Sequence, residues 1–173
     1  MADGLTDPRR VLPAFDLAER AMLEGWLEFH RVTLLLKCED LSDEQRKARS
    51  VRTSVMSLHG IVRHMAEVER GWFGRVLLQQ RDLPFHFYDE AIEDSDFGPL
   101  DSADWDADCA VWLAECDASR QAAASHTLED AGTTKSGEAC TLRWIYTHMI
   151  EEYARHNGHA DLLRELAGGS IGV

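Results

Sequence analysis

The stretch HMIEEYARHNGH, running from His148 to His159, decides how this chain is read. It lies inside an apolar segment, from about Thr141 to Leu166, with helical periodicity. At about 100° per residue, with Glu152 as the origin, His148, His156 and His159 all fall within about 40° of it. Ile145 and Leu163 fall about 20° to one side. The spacing from Ile145 through these four polar residues to Leu163 is that of a core-facing seam. Leu142, Met149 and Leu166 flank it. The face that a packed helix should bury therefore carries three imidazoles and a carboxyl group.

A carboxylate in a bundle core is costly unless it is paired, hydrogen-bonded or bound to a metal. Imidazoles there need partners too. Glu152 and His156 have i, i+4 spacing, which puts both side chains on one face, one turn apart. That suits two ligands of one divalent cation, with a further ligand from a facing helix. The segment SVMSLHGIVRHMAEVERGWFGRVLLQQ, residues 54 to 80, offers it: His64 sits between Ile61 and Val68 on the apolar stripe. His59 is about 140° away around the same helix, which predicts a solvated or rim position. His64, Glu152 and His156 would form a three-ligand site with an open position, the arrangement of catalytic zinc sites. Two imidazoles and a carboxylate suit zinc first, and nickel or iron as well. His148 and His159 border the site as candidates for proton transfer, for orienting the ligands, or as a fourth ligand. A buried hydrogen-bond network, or a polar groove facing a dimer partner, is the competing reading. Glu67 and Glu69 are expected on a solvated face, Glu67 also as a partner for His64.

Two further segments complete an all-α four-helix bundle: about Phe15 to Cys38 and about Asp104 to Ser125. Ser42 and Gln45 have the spacing of a capping box, so a short helical turn should follow the first segment. Thr141 is a suitable N-cap, and Gly168-Gly169 a stop, for the last. Residues 81 to 104 have no steady period and form a long crossover loop, the kind of segment that often borders a functional site. A second loop carries Gly132, Lys135, Ser136 and Gly137, and no clear strand is expected. The 173 residues suit one domain over residues 1–173.

The net charge of −13 and the lack of a basic patch argue against nucleic acid and anionic membrane surfaces as partners. No apolar run is long enough to span a membrane. Residues 1–10 show no signal core, and Cys38, Cys109, Cys116 and Cys140 have no C-x-x-C pairing. Reduced, packed thiols and a cytoplasmic location are expected. Trp26, Trp105 and Trp112 are candidates for an apolar face between two bundles.

Two blocks, SLHGIVRHMAEVERGWF at residues 57–73 and LRWIYTHMIEEYARHNGHAD at residues 142–161, resemble the DinB-like superfamily of metal-binding four-helix bundles. They are most similar to a bacterial branch close to the mycothiol-dependent maleylpyruvate isomerase. The resemblance covers nearly the whole chain. In the family pattern a helix-two ligand corresponds to His64, and the last-helix pair corresponds to Glu152 and His156. Glu152 stands where many members have histidine, as in the isomerase branch. His159 takes the place of a glutamine. The isomerase carries an extra C-terminal domain, whereas this chain stops soon after the last helix, so the resemblance implies the shared bundle and metal site more than that isomerisation. It implies a metal-dependent enzyme using a low-molecular-weight thiol such as mycothiol, with an electrophile as second substrate, and a homodimer. A non-catalytic metal-binding or interaction bundle is the alternative.

Overall fold

The computed structural model describes residues 7–171. Four long helical elements form the bundle: α1 (Glu19–Cys38), α3 (Leu58–Glu69), α4 (Trp105–Ala124) and α5 (Leu142–Leu166). A short α2 (Asp43–Lys47) follows α1, and a 3-10 turn (Ser95–Phe97) interrupts the long loop. α1 packs chiefly on α5 and α3 on α4, with α3 also against α5. No helix among the described residues is long and apolar enough to cross a membrane.

Local chemistry sets most of the boundaries. Ser42 and Gln45 form the expected capping box at α2. Ser57, Asp104 and Thr141 each accept a backbone N–H in the first turn of α3, α4 and α5. Gly168 closes α5 in a left-handed conformation, φ 81°. α1 begins at Glu19 rather than near Phe15, and Phe15 and Leu17 are exposed ahead of it.

Three features depart from expectation. The second segment is not one α-helix: after Glu69 it widens into a π-helical stretch, Arg70–Leu77. Such stretches are rare and often sit at functional sites. The loop after α4 contains a small hairpin, β1 (Ala131–Thr133) paired antiparallel with β2 (Ala139–Thr141). Strands of three residues are too short to show alternation in the sequence. Gly132 lets this hairpin lie on the π-helical stretch, since a Cβ there would come 1.9 Å from the Val76 carbonyl oxygen. Finally, the buried face of α5 is Ile145, Met149, Tyr153, His156, Ala160 and Leu163. Of the polar stripe only His156 lies fully in that face, while His148, Glu152 and His159 are half-buried along its edge. Leu166 is exposed. The stripe thus borders the core instead of occupying it.

The core joins all four long helices through Leu27, Leu34, Ile61, Met65, Trp112 and Met149, among others. Trp112 is a core residue, 1% exposed, and is no part of a surface for a second bundle. All four cysteines are buried and free.

Candidate metal centre

α3 and α5 cross where His64, Glu152 and His156 converge: one ligand atom from each lies within 4.8 Å of the others. Glu152 Oε2 is 3.6 Å from His156 Nε2. That is too long for a hydrogen bond, yet close to the edge of about 3.4 Å that ligands 2.1 Å from a tetrahedral zinc would span. The rings of His64 and His156 have centroids 4.7 Å apart. The donors face a common point without satisfying one another, and two imidazoles with one carboxylate fit a divalent cation.

The orientation of His64 has a cause outside the bundle. Its Nδ1 lies 2.6 Å from Asp96 Oδ2, and its ring stacks on Phe97. A carboxylate only accepts, so Nδ1–H donates, and the Nε2 lone pair is left for the cluster. Asp96 comes from the 3-10 turn of the long loop, which approaches α3 at Gly60; a Cβ there would meet Phe97 backbone at 3.0 Å. Sequence reasoning missed Asp96. It sits in an acidic stretch with no period, and only the loop's length hinted at a role.

Burial on α5 pushes the His156 imidazole down to about 3, with the cationic forms of His64 and His159 adding to the effect. It therefore stays neutral at ordinary pH, the form that ligates metals. His148 lies on the other side of Glu152, its Nε2 3.5 Å from Oε1. It stacks on Trp144 and packs edge-on against Trp72. With Glu151 and Glu152 it makes a second cluster of potential donors. His159 packs edge-on against His156, 5.4 Å between centroids, and belongs to neither cluster among the described residues.

Three expectations are corrected here. His59 is fully buried, not at a rim; its Nε2 pairs with Asp108 at 2.8 Å and its ring meets Trp105 edge-on. Glu67 does not touch His64: it is buried and accepts the backbone N–H groups of His86 and Phe87, tying down the long loop. Glu69 is 0% exposed, far from a solvated face. It accepts two hydrogen bonds from Arg31, at 2.8 and 2.6 Å, and one from the Tyr153 hydroxyl at 2.7 Å. Trp112 Nε1–H donates to the same hydroxyl at 2.9 Å. Arg31, Glu69, Trp112 and Tyr153 come from α1, α3, α4 and α5. Tyr153 follows Glu152 directly, so this network ties α3 to α5 beside the cluster.

A cavity of about 1460 Å³ opens beside the cluster, reaching it through His64 and Asp96. Its walls are the π-helical stretch, the long loop, the hairpin and the start of α5.

No curated protein matches this chain. The family model described as Mycothiol-S-transferase matches residues 22–169, a span that takes in α3, α4 and α5, all of α1 after its first turn, and every residue of the cluster. The chain belongs to this mycothiol S-transferase family, one of the DinB-like families of helical bundles.

Proposed function

We propose that the protein transfers mycothiol, or a similar small thiol, to an electrophile at a divalent cation held by His64, Glu152 and His156. One observation carries this reading: in a chain of this family, two imidazoles and a carboxylate from α3 and α5 meet within 4.8 Å. A divalent cation bound there would lower the pKa of a thiol brought to it and so supply a nucleophile near neutral pH.

The reaction balances without a redox partner. The thiol gives up its proton, the sulfur lone pair forms a new C–S bond, and the leaving group departs with its bonding pair. At a conjugated double bond the displaced pair moves onto the acceptor instead and takes up a proton. Asp96 fixes the tautomer of His64, and burial keeps His156 neutral. His148, beside Glu152 but outside the three-ligand set, would receive the thiol proton. The sulfur transferred is not the protein's own: burial raises Cys38 to about 12 and pushes Cys109, Cys116 and Cys140 up as well.

The test is metal content together with turnover. Protein purified without an affinity tag or chelator should carry about one divalent cation per chain by elemental analysis. It should conjugate mycothiol to members of an electrophile panel, and Glu152→Ala should lose both metal and turnover. Wild type that takes up no metal, and shows no thiol consumption with metal supplied, would overturn the reading.

A further inference from the structure

We infer that the cavity beside the cluster seats a planar, uncharged electrophile against the rings of Trp72, Trp144, Phe85 and Tyr88, while the thiol occupies the cluster. This rests on the S-transfer reading and names the class of its second substrate.

Size is the first argument. A pocket for one small molecule usually holds about 300–1,000 Å³. This cavity, at about 1460 Å³, has room for more. The thiol must reach the cluster, and the remaining volume extends away from His64 toward the hairpin and the long loop.

The second argument is what the walls leave unused. Their charged groups have partners, except that Glu67 Oε2 accepts no hydrogen bond and Arg81 meets only a neutral amide. Arg75 lies over the Phe85 ring, 4.0 Å to its centroid, and bonds the Leu83 and Pro84 carbonyls. Glu67 holds loop backbone, Lys135 pairs with Glu90, and Asp96 holds His64. Arg81 donates to Gln79, and Glu138 accepts from Ser136. An anionic ligand would add to the carboxylates of Glu67, Glu90, Asp96 and Glu138 on the same wall. His148 stacks on Trp144 and Arg75 covers one side of Phe85, yet both rings keep free surface. Trp144 is 49% exposed and Phe85 40%, although both line a cavity. Trp72 and Trp144 lie 5.0 Å apart at 50°, and Phe85 and Tyr88 5.1 Å apart at 64°, so each pair offers adjoining aromatic surface at an angle. Such surface favours a flat ring over a puckered one of equal size.

The third argument concerns order of events. Cys140 lines the same cavity but is 5% exposed, so it cannot carry the transferred group between two half-reactions. The C–S bond then forms between two small molecules bound together.

Calorimetric titration of the protein as purified, without thiol, tests the seat apart from turnover. Three probes are used: 1-naphthol, its saturated counterpart decahydro-1-naphthol, and charged 1-naphthoate. The expected result is that 1-naphthol binds about tenfold more tightly than either of the others. Trp144→Ala, on an exposed part of the wall, and Tyr88→Ala, at a half-buried one, should each weaken it up to about tenfold. Equal affinity for the flat and puckered alcohols, or no loss in either variant, would overturn the proposal even if S-transfer is demonstrated. With the metal-loaded enzyme, 1-naphthol should compete with the electrophile and not with mycothiol. Competition against the thiol would overturn simultaneous occupancy. Tight 1-naphthol binding without any thiol turnover would leave the seat intact and remove the S-transfer reading.

Discussion

Asp96 shows how a single side chain outside the bundle can govern the centre. His64 reaches the cluster from α3, but a free imidazole interconverts its two neutral tautomers. The 2.6 Å contact with Asp96 selects the one that leaves the Nε2 lone pair free, in a residue whose ligand atom lies within 4.8 Å of those of Glu152 and His156. Asp96→Asn should lower metal affinity about 10- to 100-fold. Helix content should stay the same, since the residue lies in a loop. Competition with a chromophoric chelator measures the first and circular dichroism the second. His59 belongs to the same scale. Burial lowers its pKa below the ordinary 6.5, outweighing the opposing pull of Asp108. The unfolded chain then binds more protons than the folded one once pH falls below about 6.5, so folding stability declines on acidification from that point. Denaturant midpoints should fall between about pH 7 and 5, and His59→Gln should flatten that slope. A slope unchanged by the substitution would show that His59 titrates alike in both states.

At the scale of elements, register between α3 and α5 matters more than the stability of either helix alone. The Glu69 carboxylate ties Arg31 to Tyr153, and through that hydroxyl to Trp112. Removing the carboxylate leaves a guanidinium that is 4% exposed with Glu28, at 2.6 Å, as its remaining ionic partner. Glu69→Ala should cost about 3–5 kcal/mol of folding stability by denaturant unfolding. Tyr153→Phe removes only the hydroxyl, leaving the Trp112 N–H without its acceptor, and should cost about 1–3 kcal/mol. Its metal affinity should fall as well, because Tyr153 adjoins Glu152 and faces α3 through Glu69. A Tyr153→Phe protein that is less stable yet binds metal as tightly as wild type would confine the network to folding. The π-helical stretch acts at this scale too. It places Trp72 and Arg75 on the cavity wall and carries the hairpin on its Val76 carbonyl.

Across the whole molecule, the proposed metal would join α3 to α5, and both to the long loop through Asp96. A ligand that binds only the folded state stabilises it by mass action, by about 2.7 kcal/mol at a hundredfold excess over Kd. Chelation should therefore lower the thermal midpoint, and added zinc should restore it. In Glu152→Ala the midpoint should no longer respond to zinc. An unchanged midpoint in wild type on chelation would mean that no cation supports the fold.

Much of this was legible in the residues themselves. Apolar spacing marked the four long helices, and side-chain oxygens at Ser42 and Thr141 marked two starts, because helical periodicity and capping are local properties of a chain. The 4-residue interval from Glu152 to His156, with His64 on an apolar stripe, already singled out the residues that the fold brings together. Other features depended on contacts across the chain. Asp96 meets His64 only because the loop folds back on Gly60. Glu69 and His59 read as surface residues until Arg31, Tyr153 and Asp108, from other helices, compensated the cost of burying them. The π-helical stretch, the hairpin and the cavity between them arise from packing of segments far apart in sequence, where no local period can mark them. The sequence alone thus determined the helices and the faces that carry His64, Glu152 and His156, whereas tertiary contacts decided which polar groups could be buried and what lies beside the cluster.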